Sequence, residues 1–178
     1  MTMLRLLLPA LLLTGCYADE LRQEMSQEPF FDLAGYMQEQ VDSLTAAGTT
    51  VEKTITLNGT TETHELSNLN FGNDLRVFRE ADINKPAWLD KYDVQREEAN
   101  GQLTRTYTAL DSSLQTRQLT VTTRDDRPVE ISIRRHTGTV LSDGDHHLTY
   151  SPRSGYRIRS EQVNRFGEDL NADITVRW

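Results

Sequence analysis

After residue 28 the chain settles into short apolar repeats broken by turn residues, and the period of each repeat names an element. Phe30, Ala34, Met37, Val41 and Leu44 recur at intervals of three and four, one apolar stripe on a helix. Pro29 suits the first helical position, Asp32 the first turn and Gly48 the stop. The period then changes to two. In VEKTITLNGTTETHEL the pair Asn58-Gly59 supplies the positive φ angles of a two-residue hairpin turn. That turn sets the register: Leu57 opposes Thr60 and Val51 opposes Leu66. Val51, Ile55, Leu57, His64 and Leu66 then share one face, and Glu52, Thr54, Thr56, Thr61, Thr63 and Glu65 share a wholly polar one.

A short helical stretch is predicted around Leu75 and Phe78, closed before Pro86. Beyond it the pattern is strand after strand. Residues 92–94 and 103–109 flank a second hairpin signal, Asn100-Gly101. Leu119 and Val121 alternate before the turn residues Asp125, Asp126, Arg127 and Pro128, and Val129, Ile131 and Ile133 alternate after them. Leu148 and Tyr150, then Tyr156 and Ile158, then Ile174, Val176 and Trp178 complete the series. Strands joined by turns without intervening helices predict an α+β domain over residues 29–178. It would be a curved antiparallel β-meander of about seven to nine strands with the N-terminal helix packed on one face and one further short helix.

The opening residues do not belong to this pattern. Arg5 precedes an apolar run at residues 6–13 that is too short to cross a bilayer, which takes ~20 residues, and matches the ~7–15 of a signal-peptide core. Leu13-Thr14-Gly15-Cys16 resembles a bacterial lipobox. The resemblance implies a signal peptide at residues 1–15, cleavage before Cys16, a diacylated Cys16 thiol and a lipidated tether at residues 16–28. Cys16 is the only cysteine, so no internal disulfide competes for it. Each buried CH₂ contributes about 0.8 kcal/mol, so two or more acyl chains make a lasting anchor. Tyr17 rather than aspartate follows Cys16, which by resemblance to enteric-type lipoproteins favours the outer membrane over inner-membrane retention. Asp19 and Glu20 fit a solvated tether, and also resemble the surface-export signals of some Bacteroidota lipoproteins.

Charge narrows the partners. Lysine and arginine number 19 against 27 acidic residues, a formal net charge of −8, which disfavours nucleic acid. Arg134, Arg135, Arg153, Arg157 and Arg159 make the C-terminal third locally basic, read as a solvated sheet face in preference to an anion-binding patch.

Candidate chemistry is sparse. His64-Glu65-Leu66-Ser67-Asn68 begins like the H-E-x-x-H zinc motif, but Asn68 stands where the second histidine belongs and the segment reads as strand. There is no G-x-S-x-G elbow, P-loop or C-x-x-C pair. The residual candidate is SDGDHH, where Asp143, Asp145, His146 and His147 could hold Ca²⁺, Zn²⁺ or Mn²⁺ or do acid–base work, with His136 or His64 completing the set. Against this, Asp143-Gly144 reads as a hairpin turn, and adjacent His146 and His147 on a strand would face opposite ways.

FFDLAGYMQEQVDSL, VEKTITLNGTTE, ADINKPAWLDKY and LTYSPRSGYRI together resemble a family of uncharacterised Bacteroidota outer-membrane lipoproteins. The resemblance implies an envelope location and carries over no catalytic residue. The sequence therefore points to a non-catalytic, lipid-anchored envelope module, without cofactor, that binds a partner protein, glycan or apolar ligand on its sheet. The alternative is a small hydrolase or metal-dependent enzyme built on the Asp143 to His147 segment.

Overall fold

The computed structural model describes residues 30–178. The expected signal peptide, Cys16, the expected tether and Pro29 lie outside the described residues. Helix α1 spans Leu33–Ala46 and starts later than the stripe predicted. Asp32 is its N-cap, not part of its first turn, with a carboxylate oxygen accepting from Gly35 N at 2.8 Å. The buried stripe is Leu33, Met37 and Val41, so Leu33 and not Ala34 faces inward, and Gly48 ends the helix at φ +58°.

Two strands follow, β1 (Val51–Leu57) and β2 (Thr60–Leu66), in the register the Asn58-Gly59 turn predicts. On their polar face Thr54 and Thr63, and Thr56 and Thr61, are joined hydroxyl to hydroxyl. The single further helix is instead two one-turn helices, α2 (Phe71–Asp74) and α3 (Arg76–Arg79), and Pro86 opens a 3-10 turn at Pro86–Trp88. Seven strands complete the chain: β3 (Tyr92–Ala99), β4 (Gln102–Ala109), β5 (Thr116–Arg124), β6 (Arg127–Gly138), β7 (Ser142–Ser151), β8 (Gly155–Asn164) and β9 (Leu170–Arg177).

All nine strands form one antiparallel sheet, ordered β2-β1-β9-β8-β7-β6-β5-β4-β3. Strands β3 to β9 are a meander, but the first hairpin does not precede them in space: β1 pairs with the last strand, Ile55 opposite Ile174. The chain between β2 and β3 must therefore cross the full sheet. That crossing lays α2, α3 and the buried Leu75, Phe78, Ala81 and Ile83 over one face.

The core is organised in ranks that run across the strands. One rank is apolar on eight of them, Ile55, Ile174, Ile158, Leu148, Ile133, Leu119, Tyr107 and Val94 in order. Beside it Tyr156, Tyr150, Ile131 and Val121 form a second. Phe78 sets its ring 6.0 Å from both Tyr150 and Tyr156, and Trp178 packs on both from the C-terminus. Burying each such side chain contributes about 1.5–3 kcal/mol. Gly155 has no substitute: at φ +120°, a Cβ would stand 1.9 Å from the Val176 carbonyl oxygen. Among the described residues no helix covers the opposite face. Its outward positions are mainly threonine, serine, glutamine, arginine, histidine and carboxylates, as alternation dictates, with Val163 near the β8 end an exception.

Candidate functional site

The Asp143 to His147 segment is strand, not turn. The turn lies one step earlier, where Thr139 N donates to Ser142 O at 2.7 Å and the Thr139 hydroxyl accepts from Leu141 N and Ser142 N. Thr139 thus supplies the turn chemistry assigned to Asp143-Gly144, and Gly144 is a buried strand residue opposite Thr137. A side chain at Gly144 would crowd His146 Nε2 and Thr137 Oγ1, both 3.3 Å from its Cβ position, so glycine there lets the imidazole fold over the strand.

The two histidines face opposite sides, as their adjacency predicts. His146 points inward, its Nε2 2.8 Å from Thr137 Oγ1 and its Nδ1 2.9 Å from Ser160 Oγ. Burial, then the Arg135 guanidinium directly opposite it, hold its pKa below the usual imidazole range. Arg135 is itself buried, donating to Val77 O and Gln115 Oε1, and burial lowers its pKa as well. Arg135 thereby ties α3 to the sheet, while His146 bridges β6 and β8, both structural duties.

His147 points outward, its Nε2 3.1 Å from Ser132 Oγ. Burial and the nearby Arg159, Arg134 and Arg157 hold its pKa down. His136, on the same face, is where the two aspartates go: its Nδ1 lies 3.1 Å from Asp145 Oδ1 and its Nε2 3.3 Å from Asp143 Oδ2. The carboxylates grip opposite ring nitrogens and so do not converge on one point. Among the described residues no three histidine, cysteine, aspartate or glutamate side chains are placed to hold a metal ion. His64 sits on edge strand β2, beside Glu62 at 3.4 Å, with β1, β9 and β8 between it and β7.

Alternation alone missed two features. One is the outward cationic rank Arg134, His147, Arg159, each directly opposite the next across β6, β7 and β8. The other is an apolar end to the sheet. Of the nine exposed large hydrophobic residues among the described ones, Leu57, Val140, Leu141, Val163, Phe166 and Leu170 gather at the hairpin ends β1–β2, β6–β7 and β8–β9. Val140 and Phe166 are 80% and 78% exposed, values that place them at loop tips and not over the core. These tips are tied together: Arg165 N donates to Leu141 O at 2.8 Å, and Asn58 N to Asn171 O at 2.8 Å. The loops at the other end, with Asn100-Gly101, Asp125-Asp126 and Pro152-Arg153-Ser154, are polar.

No protein family, curated protein or solved structure matches the chain. No helix among the described residues is long and apolar enough to cross a membrane.

Proposed function

We propose that the chain is a non-catalytic module of the cell envelope, held at the outer membrane by lipidated Cys16, that binds a partner protein through the apolar loop end of its sheet. The observation that carries this reading is the concentration of exposed Val140, Leu141, Val163 and Phe166 on two adjacent, hydrogen-bonded hairpin tips. Large exposed apolar clusters on soluble domains mark interaction surfaces, because leaving them in water forfeits the burial that a partner would supply. Of the three ligand classes considered, an apolar small molecule has the least support. The space between sheet and helices is occupied by Phe78, Tyr150, Tyr156, Leu75 and Met37, all but fully buried. The alternative, a hydrolase or metal enzyme on Asp143, Asp145, His146 and His147, needs side chains that meet at one point, and His146 and His147 lie on opposite faces.

The test is site-specific photocrosslinking in the native envelope, with the reactive group at position 166 or, as a control, at position 126. A discrete adduct from 166, absent from 126 and lost with Val140→Ser and Leu141→Ser, supports the reading. Adducts from 126 alone, or an adduct indifferent to both substitutions, would refute it.

A further inference from the structure

The arginines of the C-terminal third are arranged in a way that solvation alone does not account for. Arg134 stands directly opposite His147, and His147 directly opposite Arg159, on the face turned away from the helices. Neighbouring strands are ~4.8 Å apart, so the two guanidinium side chains leave the backbone roughly 10 Å from each other with an imidazole between them. Like charges set opposite across strands are destabilising, and sheets ordinarily offset them with a carboxylate. On β9 a carboxylate, Asp173, does stand directly opposite Arg159, but it is taken by Arg157 in a two-point contact that holds that carboxyl below its usual pKa range. Arg134 and Arg159 make no ion pair among the described residues.

The rank lines a recess of about 400 Å³, which Arg117 also lines from the bulge between Thr116 and Gln118. Asp145 and Glu161 lie along the same recess, but Asp145 is engaged by His136. Ser132 fixes the His147 ring through Nε2, and Nδ1 has no partner among the described residues. In a chain of net charge −8 this is a local excess of cation, with Arg117, Arg134 and Arg159 against two carboxylates along the recess, Arg135 being turned inward.

We propose that Arg134, His147 and Arg159 form a seat for a tetrahedral oxyanion, the phosphate or sulfate ester group of a soluble or glycan-borne ligand. Guanidinium groups supply paired N–H donors matched to such oxygens, and two of them reaching in from either side would close over a group resting on the imidazole. A flat anionic bilayer is the less favoured source. Laying this face on a membrane would press Glu130, Asp145 and Glu161, all outward and exposed, against the headgroups. The seat is separate from the apolar loop end, and neither depends on the other.

The experiment follows the ring signals of His147 by NMR in the purified full chain at constant ionic strength. Inorganic phosphate and inorganic sulfate should shift them saturably, and chloride should not. Arg134→Gln with Arg159→Gln should weaken binding by at least about ten-fold, whereas Arg153→Gln, in the β7–β8 turn, should leave it unchanged. The double variant should melt no lower than the native chain at low salt, since it removes a like-charge rank, and this separates lost binding from lost folding. A sulfated disaccharide and phosphatidylglycerol vesicles then identify the source. Vesicle binding that the double variant abolishes would overturn the soluble ligand in favour of a headgroup. No saturable shift with either inorganic ion, or full affinity in the double variant, would overturn the seat itself.

Discussion

Removing Asp74 should unlatch the helical layer from the sheet. Its carboxylate sits in α2, where the same oxygen takes the Lys53 ammonium from β1 and the Tyr156 hydroxyl from β8, the latter at 2.6 Å. The Lys53 and Asp74 side chains are only 15% and 21% exposed, so this is a largely desolvated pair and not a surface one. Burial, then the hydrogen bond to Asp74, drive the Tyr156 pKa far above its usual value, which keeps the hydroxyl a donor. Asp74→Ala would leave an unpaired ammonium and an unpaired phenol beneath the helices, a loss of about 3–5 kcal/mol. Against the ~5–15 kcal/mol that holds a domain together this is a large share. With a urea slope of about 1–3 kcal/mol per molar, the midpoint should fall by roughly 2 M. Trp178, 6.1 Å from the Tyr156 ring, is a fluorescent reporter at the site. Lys53→Met combined with Asp74→Leu should recover most of the loss, because an apolar pair removes the stranded charge. A cost below about 1 kcal/mol for Asp74→Ala, the range of exposed pairs, would show that water reaches Lys53 freely. A double variant no better than the single one would show that something other than the charge was lost.

Four further outcomes are expected. Met37→Asp places a carboxylate on the fully buried stripe of α1 and should cost several kcal/mol; an unchanged melting temperature would mean the helix does not pack as described. Cys16→Ser should move the protein from the membrane to the soluble fraction, and retention in washed membranes would show that the domain or a partner holds it there. After chelator treatment, added Ca²⁺, Zn²⁺ or Mn²⁺ should leave the melting curve in place, and exchanging Asp145 for Asn and His147 for Gln should shift stability by no more than about 0.5 kcal/mol. A metal-dependent rise of several degrees in the native chain alone would restore the metal reading. Finally, the folded chain holds His146 below its ordinary pKa of 6.5, so the unfolded chain takes up the proton first as pH falls. The stability owed to the neutral ring is present above about pH 6.5 and is lost as pH drops towards the lowered folded value. The native melting temperature should therefore fall more steeply from about pH 7.5 to about pH 5 than that of His146→Gln, and equal slopes would refute the assignment.

The sequence by itself determined the features whose physics is local. Asn58-Gly59 and Asn100-Gly101 take positive φ angles that few other pairs tolerate, so both turns and the β1–β2 register follow from them. Strand alternation placed His146 and His147 on opposite faces for the same reason, a period of two in the backbone. Where two local signals competed, the reading failed: Asp143-Gly144 is a good turn pair, but Thr139 closes the turn first with its own hydroxyl and leaves the glycine for the strand. What tertiary structure alone decided is which segments meet. Nothing in the hairpin at residues 51–66 announces that β1 will pair with β9, since Ile55 would be as well buried against any apolar strand. Yet that pairing forces the crossing that covers one face and leaves the other open. Lys53, between Val51 and Ile55, shares their inner face by the strand's period of two, and only Asp74, brought in by the crossing segment, makes its charge tolerable there. The cationic rank and the apolar loop end arise likewise from residues far apart in the chain, brought level by register across several strands, a distance no local pattern can span.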